Sequence, residues 1–186
     1  MFSLTTLTIA CVLGVVSGTP LATRQSATCN PNFEGAGVSI IANEVEWGVS
    51  PVVAGTPLQD DLGTFPLNAT TEWHVEQTGS ANPTYIIKAI SNNDLVVDVV
   101  GGEFGQLTLE EIDSTKQTQI WEIDCRQCFP GASSTPGGGE FAVGCAIKSA
   151  PSGLCVTVEM GAHIFGLTNC SPVVAQTFDF WTATSA

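Results

Sequence analysis

Seven cysteines, two histidines and 18 carboxylates are the groups of this 186-residue chain that could do covalent, metal or acid–base chemistry. Their spacing favours none of the three. His74 and His163 lie far apart, and neither belongs to a His-Glu-x-x-His pair that would grip zinc from one helix face. No Gly-x-Ser-x-Gly elbow or phosphate-cradling glycine loop occurs. Cys125-Arg126-Gln127-Cys128 has the spacing of a thiol–disulfide exchange motif, but it lacks a helical context and a cytosolic address, so a structural disulfide is the preferred reading. Two carboxylates that hydrolyse a glycoside must face each other across a cleft at a defined gap. The acids here are scattered, with only short pairs such as Asp60-Asp61 and Glu110-Glu111, and nothing selects a catalytic couple. The expectation is a protein that is not an enzyme and needs neither metal nor cofactor.

The charge balance narrows the partners. Five basic residues against 18 acidic ones leave a net charge of −13, and binding to nucleic acid or anionic lipid needs clustered Lys and Arg. Neither partner is expected. Met1 to Gly18 carries no charged side chain and contains an apolar stretch from Leu7 to Val16 closed by Ser17 and Gly18, which reads as a signal peptide. Cleavage after Gly18 or Ala22, or a later trim after Arg24, fits the residues. A membrane anchor needs about 20 apolar residues, and Pro20 and Arg24 interrupt this one. The protein is therefore expected to be secreted and extracellular, with one domain over 29–182.

Six cysteines follow that leader, and an even count in an exported chain points to disulfides. Six allow 15 pairings. Cys155 and Cys170 bracket one hairpin and are the first choice. Cys125 and Cys145 could face each other on neighbouring antiparallel strands, which would leave Cys29 to join Cys128. Asn68-Ala69-Thr70 and Asn169-Cys170-Ser171 match the glycosylation sequon. Asn68, in a polar loop, is the better acceptor because Cys170 is expected in a disulfide.

The elements that must position these residues are strands. From Gly37 onward, short runs of Val, Ile, Thr and aromatics are broken by Gly, Pro, Asn and Ser every 8 to 12 residues or so. Expected strands include Val38–Ile41, Trp73–Val75, Tyr85–Ile90, Leu95–Val99, Leu107–Glu111, Ile120–Ile123, Phe141–Ile147, Leu154–Val158, Ile164–Leu167 and Thr177–Trp181. No stretch has a capped helical period. The same cluster also recurs three times, as Thr71-Glu72-Trp73, Gln119-Ile120-Trp121 and Gln176-Thr177-Phe178. Upstream, Leu95-Val96-Val97-Asp98-Val99 matches Leu154-Cys155-Val156-Thr157-Val158, and Glu44–Val49 takes that place in the weaker first repeat. Polar turns, Ser91–Asp94 and Pro151–Gly153, precede the two clearer runs. Three repeats of about four strands (37–79, 84–128 and 140–182) close into a barrel capped by hairpins, which removes exposed edges. That fold class is the all-β β-trefoil.

The run Leu95 to Gly102, then Leu107-Thr108-Leu109, then Gln119-Ile120-Trp121 resembles one repeat of the ricin-B-type lectins. Leu154 to Val158, Gly166 to Cys170 and Gln176-Thr177-Phe178 resemble another. The resemblance implies a β-trefoil that binds galactose-type and related sugars in shallow pockets, up to one per repeat. By that resemblance the sugar-binding carboxylate is Asp98, with Gly101 and Gly102 leaving backbone room beside it. The chain departs from the pattern at Glu110, where an aromatic is expected, and at Thr118, before Gln119, where an Asn is expected. Phe104 could supply a substitute stacking face. Repeat three has Thr157, Thr168 and Ala175 at the corresponding places, and repeat one has Gly48 and Thr71, so both look empty.

Trp73, Trp121, Phe178 and Gln176, with Gln119, have a competing structural duty, since a three-fold core needs aromatics and the glutamine amide can satisfy turn backbone. Asp98 has one too, as a solvated or turn-capping aspartate. If it is an exposed site residue, Asp98→Ala changes stability by no more than about 1 kcal/mol. A lone pocket of this kind binds a monosaccharide at about millimolar strength, so avidity requires self-association or a repetitive ligand. Two other functional classes fit the same scaffold. One is a β-trefoil protease inhibitor or defence protein using the loop from Phe129 to Gly139. The other is a secreted structural protein without a pocket.

Overall fold

The computed structural model describes residues 28–60, 68–159 and 163–183. The expected leader, Met1 to Gly18, lies outside them. Thirteen strands occur among the described residues. The first four are β1 (Val38–Ala42), β2 (Val45–Glu46), β3 (Thr56–Pro57) and β4 (Glu72–Gln77). Then come β5 (Tyr85–Ala89), β6 (Asn92–Val100), β7 (Gln106–Glu111), β8 (Trp121–Asp124) and β9 (Gln127–Cys128). The last four are β10 (Glu140–Ser149), β11 (Cys155–Glu159), β12 (Ile164–Thr168) and β13 (Phe178–Thr182). Single 3-10 turns at Gln117–Gln119 and Val174–Gln176 lead into β8 and β13.

Six strands close a barrel. β1 pairs with β4, β4 with β5, β5 with β8, β8 with β10, β10 with β13, and β13 returns to β1, every pair antiparallel. The alternation of apolar and polar residues dictates which face turns inward: in β1, β5 and β13 every second residue is buried, as in Val38, Ile40 and Ala42. The hairpins β6–β7 and β11–β12 stand on this ring, and β7 contacts both β3 and β12. Isolated bridges Gly48–Gln59 and Gln59–Ile164 complete the cap.

Two aromatic clusters fill the interior. Towards the cap, Trp47 packs against Phe165 at 4.9 Å and edge-on against Phe178 and Trp73. Elsewhere, Phe33 meets Phe180, Tyr85 and Phe141 edge-on at 4.8 to 5.5 Å, arrangements the ring quadrupole favours. The Tyr85 hydroxyl donates to Pro31 O at 2.9 Å, which fastens the segment preceding β1 to the barrel. Burial raises the Tyr85 phenol pKa above its usual value, with a hydrogen bond to Gln77 acting in the opposite direction.

Three disulfides occur among the described residues, Cys29–Cys128, Cys125–Cys145 and Cys155–Cys170. They join the amino-terminal segment to β9, the segment after β8 to β10, and the two arms of the β11–β12 hairpin. Two short strands, β3 and β9, lie outside the strands expected from the sequence. The turn expected over Ser91–Asp94 is tighter than that, because Asn92 already pairs with Ala89. The strand expected over Glu44–Val49 is short, continuing beyond Glu46 as single bridges at Gly48 and Val49.

Candidate functional site

Asp98 and Gln119 come together from β6 and the turn before β8. The Gln119 amide donates to Asp98 Oδ2 at 3.1 Å and to Glu111 O at 3.0 Å, while its Oε1 accepts from Asp113 N at 2.9 Å. The glutamine thus pins the end of β7 to the turn that launches Trp121. Asp98 Oδ1 accepts from Val99 N at 2.7 Å, and Lys116 Nζ lies 3.4 Å from Oδ2. Asp98 is 2% exposed. The expectation of an exposed aspartate is therefore corrected: β6 carries four consecutive buried residues, Leu95 to Asp98, because the hairpin is covered by the turn that bears Lys116 and Gln119.

The same construction recurs without a carboxylate around Gln176. Its amide nitrogen donates to Thr157 Oγ1, Thr168 Oγ1 and Asn169 O at 2.7 to 3.0 Å, and its Oε1 accepts from Ser171 N at 2.6 Å. Thr157 stands where Asp98 stands, and Thr168 stands where Glu110 stands. The indoles mark the corresponding place near the start of the chain: Trp121 Nε1 donates to Val97 O and Trp73 Nε1 to Trp47 O, at 3.3 and 3.4 Å. That correspondence puts Gly48 opposite Asp98 and Thr71 opposite Gln119. Trp73, Trp121 and Phe178 are fully buried.

The remaining residues around Asp98 are spread along the β6–β7 hairpin rather than gathered. Asp98 pairs with Thr108, Val96 with Glu110, and Val100 with Gln106. Glu110 is thus displaced towards the open end and Phe104 lies beyond Asp98, in the loop at the tip. Glu110 accepts from Thr108 Oγ1 at 3.2 Å. With Lys116, Asp113 and Ala54 it lines an open polar depression of about 490 Å³, to which Asp98, Gln119, Phe104, Gly101 and Gly102 do not contribute. Hydrogen bonds from the Thr115 hydroxyl and backbone hold Asp113 below the usual carboxylate pKa. Phe104 is 60% exposed. Gly101 and Gly102 take φ of +99° and +94°, a region that glycine enters without the penalty of a side chain, so they make the tight turn. Thr118 is half-buried in the 3-10 turn.

The segment suspected as an inhibitory loop is fastened down. Ala132 is buried and its N–H donates to Asn32 O, Thr135 Oγ1 donates to Pro130 O, and Gly138 N donates to Thr182 O. Asn68 is exposed with φ +65°. The following Thr70 is buried, with its hydroxyl donating to Glu72 O.

No protein-family model matches the chain, and no curated protein matches it in sequence. Solved structures do match in fold. The designed three-fold symmetric protein ThreeFoil superposes with a TM-score of 0.55 at 14% identity, covering 78% of this chain and 97% of its own. Cry35Ab1 gives 0.57 at 15% identity, with 79% and 35% covered. An exo-β-1,3-galactanase from Clostridium thermocellum gives 0.59 at 13% identity, with 81% and 31% covered. This chain spans about a third of the length of the latter two. With the closed barrel and its hairpin cap, these likenesses define the fold as a β-trefoil.

Proposed function

We propose that the protein is a secreted, non-catalytic, ricin-B-like lectin built from three repeats of four strands, with one surviving glycan site at Asp98 for galactose-type sugars. The observation that carries this reading is the Asp98–Gln119 pair. It is the one place among three corresponding positions where a carboxylate, a strong acceptor for sugar hydroxyls, stands where the other two have Thr157 and Gly48. The adjoining depression supplies further polar groups in Glu110 and Lys116. A hydroxyl reaches Asp98 Oδ2 when Lys116, which is half exposed, swings aside. β-Trefoil neighbours that include a β-1,3-galactanase accord with a galactose-type ligand, and three disulfides accord with export. Function rests on the site and not on the fold.

The test is a glycan array of the disulfide-bonded protein beside Asp98→Thr and Lys116→Ala. Asp98→Thr removes the carboxylate but reproduces the Thr157–Gln176 contact, so the fold survives. Retention on galactose- or N-acetylgalactosamine-type glycans that disappears with Asp98→Thr is the expected result. Silence of the unaltered protein under multivalent display, or binding indifferent to Asp98→Thr, overturns the reading.

A further inference from the structure

Four cations fall among the described residues, and three have carboxylate partners. Lys88 pairs with Glu76, Lys116 with Asp98 and Lys148 with Asp124. Arg126 has none, and its guanidinium makes no hydrogen bond to a described protein group. In a chain of net charge −13, an arginine left without a carboxylate is conspicuous. Its position is also built. Arg126 follows β8 and lies across β10 at Gly144, where a Cβ would stand 2.0 Å from Nε and 2.7 Å from Cζ. Gly144 has φ +64°, and its N–H donates to Asp179 Oδ1 at 2.7 Å. Only the absence of a side chain there lets the guanidinium approach the backbone of β10 so closely.

Arg126 faces an open groove of about 640 Å³ between the Asn43–Glu44 turn, β10 and the segment leading into β13. The groove also presents the carboxylates of Glu44 and Asp179, the hydroxyls of Ser171 and Thr177, and an apolar rim at Val174, 64% exposed.

We infer that this groove is a second glycan subsite, selective for a sugar that bears a single carboxylate, the uronic-acid class. A guanidinium forks onto a carboxylate through two parallel hydrogen bonds. Glu44 and Asp179 accept from sugar hydroxyls, and Val174 covers C–H surface of the ring. The same two carboxylates repel a ligand of high negative charge, so the groove discriminates against sulfated polyanions. The site is separate from Asp98 and independent of the galactose reading.

Isothermal titration with methyl galacturonide, methyl galactoside and heparin tests it, using the full disulfide-bonded chain, Arg126→Ala, Arg126→Lys and Asp98→Thr. Far-UV circular dichroism and melting curves confirm that the variants are folded. Galacturonide should bind at about millimolar strength and weaken about tenfold or more in Arg126→Ala, the loss expected for charge-assisted hydrogen bonds. Arg126→Lys should weaken it too, because the fork is lost while the charge stays. Asp98→Thr should leave it unchanged. Galacturonide affinity that survives Arg126→Ala overturns the inference, as does heparin binding more tightly than galacturonide. Binding of galactoside with no added affinity for galacturonide overturns this site and leaves the Asp98 reading standing. Galacturonide binding without galactoside binding does the reverse, and absence of both overturns both.

Discussion

Replacing Asp98 tests how the candidate site is held, because three donors converge on its carboxylate and the replacements differ in which of them keep an acceptor. Asp98→Ala leaves Val99 N without its 2.7 Å acceptor and takes Oδ2 from Gln119 Nε2. Gln119 keeps Glu111 O, and Lys116, half exposed, returns to water. The dominant cost is the orphaned backbone donor, about 1–3 kcal/mol for a group left unpaired on burial, with about 1 kcal/mol more for the lost side-chain bond. A total of about 2–4 kcal/mol follows, well above the 1 kcal/mol suited to an exposed residue. Asp98→Asn should not rescue, because a carboxamide has one acceptor oxygen and either orientation points its NH2 group at Gln119 Nε2 or Val99 N. Asp98→Thr should lose less than Asp98→Ala, since a threonine hydroxyl already receives the corresponding glutamine at 2.8 Å in the Thr157–Gln176 contact. Urea unfolding at pH 7, with the slope against denaturant checked for constancy, measures all three. A loss below about 0.5 kcal/mol for Asp98→Ala, the range of ordinary surface changes, or equal losses for Ala and Thr, would refute the network reasoning.

Trp121→Ala should cost about 3–5 kcal/mol, the range for a buried aromatic truncated in a packed core, read as a fall in the urea midpoint. Removing the Cys29–Cys128 disulfide, which spans 99 residues, should destabilise by more than removing Cys155–Cys170, which spans 15. Loop-closure entropy gives about 4.7 against about 3 kcal/mol, and paired serine variants compared by melting decide the order. Glu140 has a pKa raised first by desolvation and then by Asp179. A raised folded pKa means that this group's contribution to stability is fully present below its unfolded value and lost as pH rises through the folded one. Glu140→Gln should therefore raise Tm at pH 7 relative to the unaltered protein, and the gain should vanish at pH 3; a gain of equal size at both would be the wrong result. For the Asn68 sequon, a glycosidase-sensitive mass shift on secretion from a eukaryotic host should disappear in Asn68→Gln.

Strand identity was legible from local pattern. Val38–Ala42, Tyr85–Ala89 and Phe178–Thr182 alternate because a barrel strand has one dry face, and that period survives in the sequence without any knowledge of its partners. The recurrence of Gln119-Ile120-Trp121 as Gln176-Thr177-Phe178 was visible for the same reason: both glutamines pin a strand end to the next turn, and both aromatics are fully buried. Phe33 was not legible. It precedes the first strand in an irregular segment, and only the closed barrel creates the space it fills between Tyr85, Phe141 and Phe180. Strands β3 and β9, two residues each, exist only through pairing with β7 and β10, so no local propensity announced them.

Composition and periodicities of a few residues are enough to mark this chain as acidic, cysteine-containing and all-β. Exposure and partnership arise only once the barrel closes. Asp98 and Gln119 are 21 residues apart, and whether that carboxylate faces water or a ring of donors depends on how a separate turn folds over β6. Arg126 and Gly144 read as an unremarkable cation and a mid-strand glycine until β10 lies beside the segment after β8. There the missing Cβ becomes the seat of the guanidinium. Distances between residues remote in sequence are set by chain closure and packing, which no local pattern encodes.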